Sequence, residues 1–205
     1  MSKGRIRRGM EVSPNVVYWT VVVALLACSV FFVVDVQLRK RSWQSDKQLQ
    51  VNSGEPVEVL KVIDGDEVSV KHAHGTFVVR LLGVKSFNPS ANEPGLSGLG
   101  AQTMQALERI LDSKKPITVH FKEFKQDKAN RLLAYIHVGD VDVGERLVKG
   151  GFSVAYTRYP FSRENDYLAA ELEAQREAKG LWANEKAVSR VQGWKGSWDA
   201  QRQDG

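Results

Sequence analysis

The pattern of apolar and polar positions divides this 205-residue chain into an apolar N-terminal segment and a longer region of mixed periodicity. Residues 16–34 are apolar except for Thr20 and Ser29. As a helix, these 19 residues would span about 28 Å, close to the hydrocarbon thickness of a bilayer. The pattern therefore predicts a single transmembrane helix over residues 15–35, with the globular part on one side of the membrane.

Two other interpretations of the apolar segment remain open, a buried core helix and a cleaved signal peptide. The length and uniform apolarity of the segment argue against a core helix. The basic residues before it resemble a signal-peptide leader, but no A-x-A cleavage site precedes the polar flank. Leu25-Leu26-Ala27-Cys28 resembles a lipoprotein cleavage box, yet the residues after it stay apolar. We therefore favour a retained single-pass anchor.

Charge is distributed unevenly between the two regions. Residues 1–50 carry eight Lys/Arg against three Asp/Glu, whereas the remainder carries 21 of each. The net charge of +5 therefore belongs to the flanks of the predicted span, where it suits anionic lipid headgroups. Because basic residues lie on both sides of the span, the positive-inside count nearly ties, and an extracytoplasmic domain is only slightly favoured. A neutral domain lacks the overall positive field of a typical nucleic-acid binder, and a local basic patch is the alternative that stays open.

In the longer region, apolar residues recur at every second position in some segments and with helical spacing in another. Residues 57–70 and 76–84 are rich in β-branched residues and predict strands, interrupted at Asp64-Gly65-Asp66 by a bend or bulge. Residues 116–124 and 131–138 predict further strands, with a tight turn leading into another short one. Helical spacing is shown by four apolar residues between these strands: Ala101, Met104, Leu107 and Leu111.

Two further helices are predicted near the C-terminus. The first covers residues 145–149 and ends at Gly150-Gly151, and the second begins at Ser162 and ends at Gly180. Five strands with an inserted helix and two later helices favour an α+β fold, a five-stranded OB-type Greek-key β-barrel with flanking helices.

Five short motifs carry a family resemblance. They are Ile-Asp-Gly-Asp-Glu-Val (63–68), Val-Arg-Leu-Leu-Gly-Val (79–84), Val-Gly-Glu-Arg-Leu-Val (143–148), Val-Ala-Tyr (154–156) and Gly-Leu-Trp (180–182). In this order they resemble the staphylococcal nuclease, or thermonuclease-type, family, which implies the same barrel. The expected organisation is a basic tail (1–14), a transmembrane helix (15–35), a linker (36–56), a thermonuclease-like domain (57–183) and a C-terminal extension (184–205).

The resemblance implies calcium-assisted hydrolysis of phosphodiesters. In the family, two aspartates and a threonine carbonyl hold the ion, a glutamate acts near the attacking water, and two arginines clamp the phosphate. On this chain Asp66 matches the first aspartate, and Arg80 and Arg131 match the arginines. Tyr156 matches a tyrosine that stacks on the nucleotide base, and Arg158 or Tyr159 occupies the next such place. The alternative for both arginines is that they satisfy buried carboxylates.

The chain departs from the family at the acidic positions. Lys85 replaces the second aspartate, Asn88 replaces the glutamate, and Ser86 replaces the threonine. An ammonium group beside a divalent cation repels it by roughly several kcal/mol at an effective dielectric constant near 20. We therefore expect no bound calcium, and a Lys85–Asp66 ion pair instead. Glu93 in the following loop is the one candidate to replace the lost glutamate.

These residues favour a membrane-anchored, catalytically degenerate thermonuclease-like domain that acts as a structural or binding module, an accessory subunit of a membrane protein complex. The expected partners are other membrane subunits and the lipid bilayer, with no cofactor. The alternative is a membrane-tethered, calcium-dependent nuclease with a reorganised site. A single-strand nucleic-acid binder is less favoured because the domain has no net charge. Trp194 and Trp198 are expected either to contact another chain or to pack on their own barrel.

Overall fold

The computed structural model describes residues 51–90 and 95–203, together with six positions of the N-terminal apolar segment: Asn15, Tyr18, Trp19, Val23, Leu25 and Cys28. The chain has two compact units, residues 1–48 and 49–205. The six described positions of the first unit are helical and exposed. Among all described residues, no helix has both the length and the apolarity to cross a membrane. Most of the predicted span lies outside the described residues.

The second unit is a mixed α+β domain. Its strands are β1 (Glu58–Asp64), β2 (Glu67–His72), β3 (Gly75–Leu81), β4 (Val84–Lys85), β5 (Ile117–His120), β6 (Leu132–Val138), β7 (Val141–Asp142) and β8 (Val154–Ala155). Its helices are α1 (Ser97–Leu111), α2 (Val143–Lys149), α3 (Glu164–Arg176) and α4 (Glu185–Gln203), with a 3-10 turn at Gly180–Ala183.

Six of the strands form one sheet in the order β1-β2-β3-β6-β5, with β7 paired to β6. The β3–β6 pair is parallel and the others are antiparallel. The residues just before β1 pair with β5, because the Val57 amide donates to the Ile117 carbonyl at 2.9 Å and the Gly54 amide to the Val119 carbonyl at 2.8 Å. These bonds bring the sheet edges together, as closure of a small barrel requires.

The predicted interruption after β1 is a tight turn under helix α1. A Cβ atom on Gly65 would lie 2.7 Å from Thr103 Cγ2 and 2.8 Å from the Ser86 side chain. Only glycine therefore fits between α1 and the residue after β4. This turn is the bend expected at Asp64-Gly65-Asp66, and the β1–β2 register also shifts twice before it, between Val59 and Lys61 and between Val62 and Asp64. The turn places Asp66 at the start of β2, facing Ser86.

A second hydrophobic cluster joins the C-terminal residues to the domain. It contains Phe87, Leu96, Val154, Leu181, Ala187, Val191 and Trp198. Polar contacts reinforce it: the buried Glu171 accepts from the Ala155 amide at 3.1 Å and from the Lys195 ammonium. Arg202 donates to the Thr157 carbonyl at 2.9 Å. Helix α4 is therefore part of the domain, and both hydrophobic clusters lie within residues 51–198.

The boundaries of two helices differ from the sequence prediction, and one of them, α3, also ends at Arg176 rather than at Gly180. Helix α2 begins at Val143 rather than 145, because Asp142 caps it by accepting from the Glu145 amide at 3.1 Å. Ser162 does not cap α3. Its hydroxyl instead lies 3.0 Å from the Tyr135 hydroxyl, and α3 begins at Glu164.

Candidate functional site

Asp66 lies at the centre of the region that corresponds to the family's acidic site. Its side chain is 3% exposed, and Oδ2 forms an ion pair with Arg80 Nη1 at 2.8 Å and accepts a hydrogen bond from the Ser86 amide at 3.0 Å. Arg80 Nη1 also donates to the Asp66 carbonyl at 3.1 Å. The carboxylate is thus bound by a guanidinium group and a backbone amide of its own domain, which is the arrangement that a buried charge requires.

The expected ion pair between Lys85 and Asp66 is wrong. In the part of the chain that the structure describes, the Lys85 ammonium pairs with no carboxylate and lies 6.0 Å from the centre of the Trp194 ring. Asp66 is already neutralised by Arg80, so it offers little further attraction. The four-carbon stem of lysine lets its ammonium reach the indole ring, where a cation–π contact contributes about 0.5–1 kcal/mol.

Asn88 acts as a turn residue. It is exposed, and its Oδ1 accepts from the Ser90 amide at 2.7 Å. This is the local bond that favours Asn in loops. The preceding Phe87 is buried against Trp194, with ring centres 4.9 Å apart. Glu93, the candidate replacement for the family's glutamate, lies outside the described residues.

Arg131 is bound by two carboxylates. Its Nε donates to Asp127 Oδ2 at 2.7 Å, and its Nη1 donates to Glu67 Oε1. Burial opposes the ionisation of Asp127, but the hydrogen bonds from Arg131 outweigh it and lower the pKa of Asp127. The same pairing raises the pKa of Arg131 against the opposing effect of burial. In the structure both family arginines therefore satisfy carboxylates of their own domain.

Replacing Asp127 with asparagine tests the strength of this pairing. Asparagine keeps an oxygen for the Ala129 and Arg131 amides but removes the charge. Because the folded-state pKa of Asp127 is lowered, its stabilising effect is present at neutral pH and is lost as the pH falls through that value. We expect a loss of about 1 kcal/mol in unfolding free energy at neutral pH. In acid, the unfolding free energies of the parent and of Asp127→Asn should become equal. Urea unfolding at neutral and at acidic pH measures both, and a difference that persists in acid would contradict this explanation.

Three of the predicted site residues converge on one cavity. It has a volume of about 650 Å³, and Arg80, Arg131 and Tyr156 all line it. Asp66, Lys85 and Asn88 do not line it. The structure thus brings together the residues that match phosphate and base contacts. The positions that match the metal ligands lie outside this lining, although Asp66 contacts the cavity through its ion pair with Arg80.

Most residues of the cavity wall were not predicted from the sequence. The wall holds both signs of charge, since Lys122 and Lys125 line it together with Glu123, which pairs with Lys125 at 2.7 Å. Phe121 and Phe161 add aromatic surface. Of the two alternatives for the next base-contact position, Tyr159 lines the cavity and Arg158 does not. Tyr156 is also held from outside, because Trp198 meets its ring edge-on at 4.8 Å between ring centres. In the sequence, the run Phe-Lys-Glu-Phe-Lys over residues 121–125, with its interleaved aromatic and basic residues, could have indicated this wall.

The residues around Asp66 do not fit a bound calcium ion. Calcium takes six to eight oxygen ligands, usually including several carboxylates. Of the two positions that match the family's aspartate ligands, one is Asp66, which is bound by Arg80, and the other is Lys85. Across residues 51–90 and 95–203, no three His, Cys, Asp or Glu side chains are grouped so that they could hold a metal ion.

Comparison with known proteins establishes the family. The family model described as Staphylococcal nuclease homologue matches residues 78–184, which is more than half of the chain. The chain belongs to this family. It is 28% identical over 130 residues to an uncharacterized protein of Bacillus anthracis, a match that covers 62% of this chain and 60% of that protein.

Two other relatives extend the match. An uncharacterized protein of Methanocaldococcus jannaschii is 30% identical over 146 residues, which cover 61% of this chain and 70% of the relative. The thermonuclease of Staphylococcus hyicus is 24% identical over 165 residues, which cover 80% of this chain and 94% of the relative. The chain therefore spans less than two thirds of the Bacillus anthracis protein but nearly all of the thermonuclease.

Proposed function

We propose that this chain is a membrane-anchored, catalytically degenerate member of the staphylococcal nuclease family that serves as a structural or binding module. The observation that carries the proposal is the set of contacts made by the Asp66 carboxylate. It is bound by Arg80 and the Ser86 amide, and Lys85 stands where a second acidic ligand belongs. A hydrolytic site that depends on a hard cation would need both carboxylates free to face the ion.

The proposed setting is an accessory subunit of a membrane protein complex. The apolar pattern of residues 15–35 supports an anchor, with the domain on the end of a polar linker. The domain retains an exposed surface and a complete hydrophobic core. A fold can keep a structural or binding role after its catalytic site has been lost. Its proposed partners are therefore the bilayer and neighbouring membrane subunits.

We expect the purified full-length protein in mild detergent to show no calcium-dependent degradation of single-stranded DNA or RNA. The physical reason is the missing second ligand at Lys85 and the missing acid at Asn88. The measurement is release of labelled fragments with millimolar calcium and with chelator, beside an active thermonuclease as the positive control.

The matched variant for this assay is Asp66→Ala. A chelator-sensitive activity that disappears in Asp66→Ala would defeat the proposal, because it would show that Asp66 still supports a metal-dependent step. An activity that persists in Asp66→Ala would indicate a contaminating nuclease, and repurification to remove it would then decide the result.

A calcium-dependent nuclease with a reorganised site is the second candidate function. The observation that favours it is the convergence of Arg80, Arg131 and Tyr156 on one cavity with added basic and aromatic walls. The relative from Staphylococcus hyicus, named a thermonuclease, supports the same candidate. Under this alternative, oxygen ligands other than the family's second aspartate would complete the ion's shell. The assay above separates the two candidates.

A further inference from the structure

A second cavity, on the surface between α1 and α2, has a strongly uneven charge. Its volume is about 660 Å³, and five cationic side chains line it: Arg109, Lys115, Arg146, Lys149 and Lys179. No acidic side chain among the described residues lines it. The domain as a whole holds as many acidic as basic residues, so this concentration of positive charge is local. We call this cavity the basic groove.

The cations of the basic groove are available for a ligand. Arg109, Lys115 and Arg146 are exposed, and within the described residues none of them forms an ion pair. Lys149 and Lys179 pair with Glu173 and Glu177, but these are exposed surface pairs. Surface pairs of this kind stabilise a protein weakly, so an anionic ligand can replace them.

The floor of the basic groove is apolar. Ile110, Val138, Val141 and Phe152 line it beneath the charged rim, and Val141 is 38% exposed. A rim of cations over an apolar floor matches an amphiphile with an anionic head. This arrangement lies apart from the cavity that holds Arg80 and Arg131, since no residue lines both.

We propose that the basic groove docks the domain on anionic phospholipid in a bilayer. Charge complementarity selects an anionic partner, and each Lys or Arg near an anionic membrane surface adds to the attraction. A bilayer is also the partner within reach. The proposed linker covers residues 36–56, and its first 15 residues, which precede the described part of the domain, span at most about 54 Å when extended. The inference uses the proposed anchor only for this proximity, and the docking contact itself goes beyond the proposed function.

The test uses fragment 49–205, which contains every residue of both hydrophobic clusters and lacks the predicted anchor. Flotation is measured with vesicles of phosphatidylcholine alone and with vesicles of equal parts phosphatidylcholine and phosphatidylglycerol. We expect binding to the anionic vesicles only. The triple variant Arg109→Gln, Lys115→Gln and Arg146→Gln should partition roughly 100-fold more weakly. These three residues are exposed, so the variant is expected to fold.

The matched control is the triple variant Lys61→Gln, Lys128→Gln and Lys186→Gln, which removes the same charge from exposed positions outside the groove. It should change partitioning by less than about fivefold, since screening limits distant charges. Equal losses in both variants, or no binding of the parent to anionic vesicles, would overturn the proposal. Either result would leave the anchor and the nuclease assay untouched, so failure of this inference is distinct from failure of the proposed function.

Discussion

Replacing Trp198 with alanine is expected to lower the free energy of unfolding of the domain by about 3–5 kcal/mol. The Trp198 side chain is buried, with 7% of the residue exposed, and its ring packs on Tyr156 and against Trp194, with centres 4.8 Å and 6.2 Å away. Truncation removes this apolar contact and leaves a cavity between α4 and the domain. The same change releases Tyr156, one wall of the cavity that holds Arg80 and Arg131.

Urea unfolding of fragment 49–205, followed by circular dichroism, measures this loss. The control is Gln201→Ala on the exposed surface of the same helix, which should change stability by less than about 0.5 kcal/mol. A Trp198→Ala loss below about 1 kcal/mol would mean that α4 leaves the domain readily. The tryptophans would then be available to another chain, as the first of the two sequence-based alternatives expects.

Much of the barrel could be predicted because strand periodicity is a local property. Residues 57–84 alternate with β-branched side chains, and the bend at Gly65 follows from a single glycine between two turn-forming aspartates. The docking of α4 could also have been predicted. Its contact residues Ala187, Val191, Trp194 and Trp198 recur with helical spacing. This segment was predicted to be an extension because the family resemblance ends before it.

The ion pairs of the site could not be predicted, because they depend on long-range register. Arg80 faces Glu67 across β2 and β3, and the parallel pairing of β3 with β6 brings Arg131 to the same place. Which arginine binds which carboxylate is decided by that three-strand geometry. The sequence offered a bound phosphate and internal carboxylates as alternatives for both arginines. The structure shows the carboxylate contacts.

The double substitution Lys85→Asp with Asn88→Glu is expected to bind calcium at least about 100-fold more tightly than the parent, because it removes a nearby cation and adds two carboxylates. The backbone of this segment already lies beside Asp66, since the Ser86 amide is 3.0 Å from Asp66 Oδ2. A short aspartate at position 85 would keep its carboxylate near that backbone, whereas the lysine ammonium reaches away toward Trp194.

Calorimetric titration of fragment 49–205 and of its variants with calcium measures this effect. Lys85→Ala alone, which removes the repulsion but adds no ligand, should gain much less than the double variant. Adding Asp66→Ala to the double variant should abolish the gain in calcium affinity, because it removes the carboxylate that would bind the ion together with the two new ones. A folded double variant without calcium affinity would show that Arg80 holds Asp66 too firmly for an ion to compete. Calcium binding by the parent itself would instead show that other oxygens complete the site, and the nuclease candidate would then be the better description.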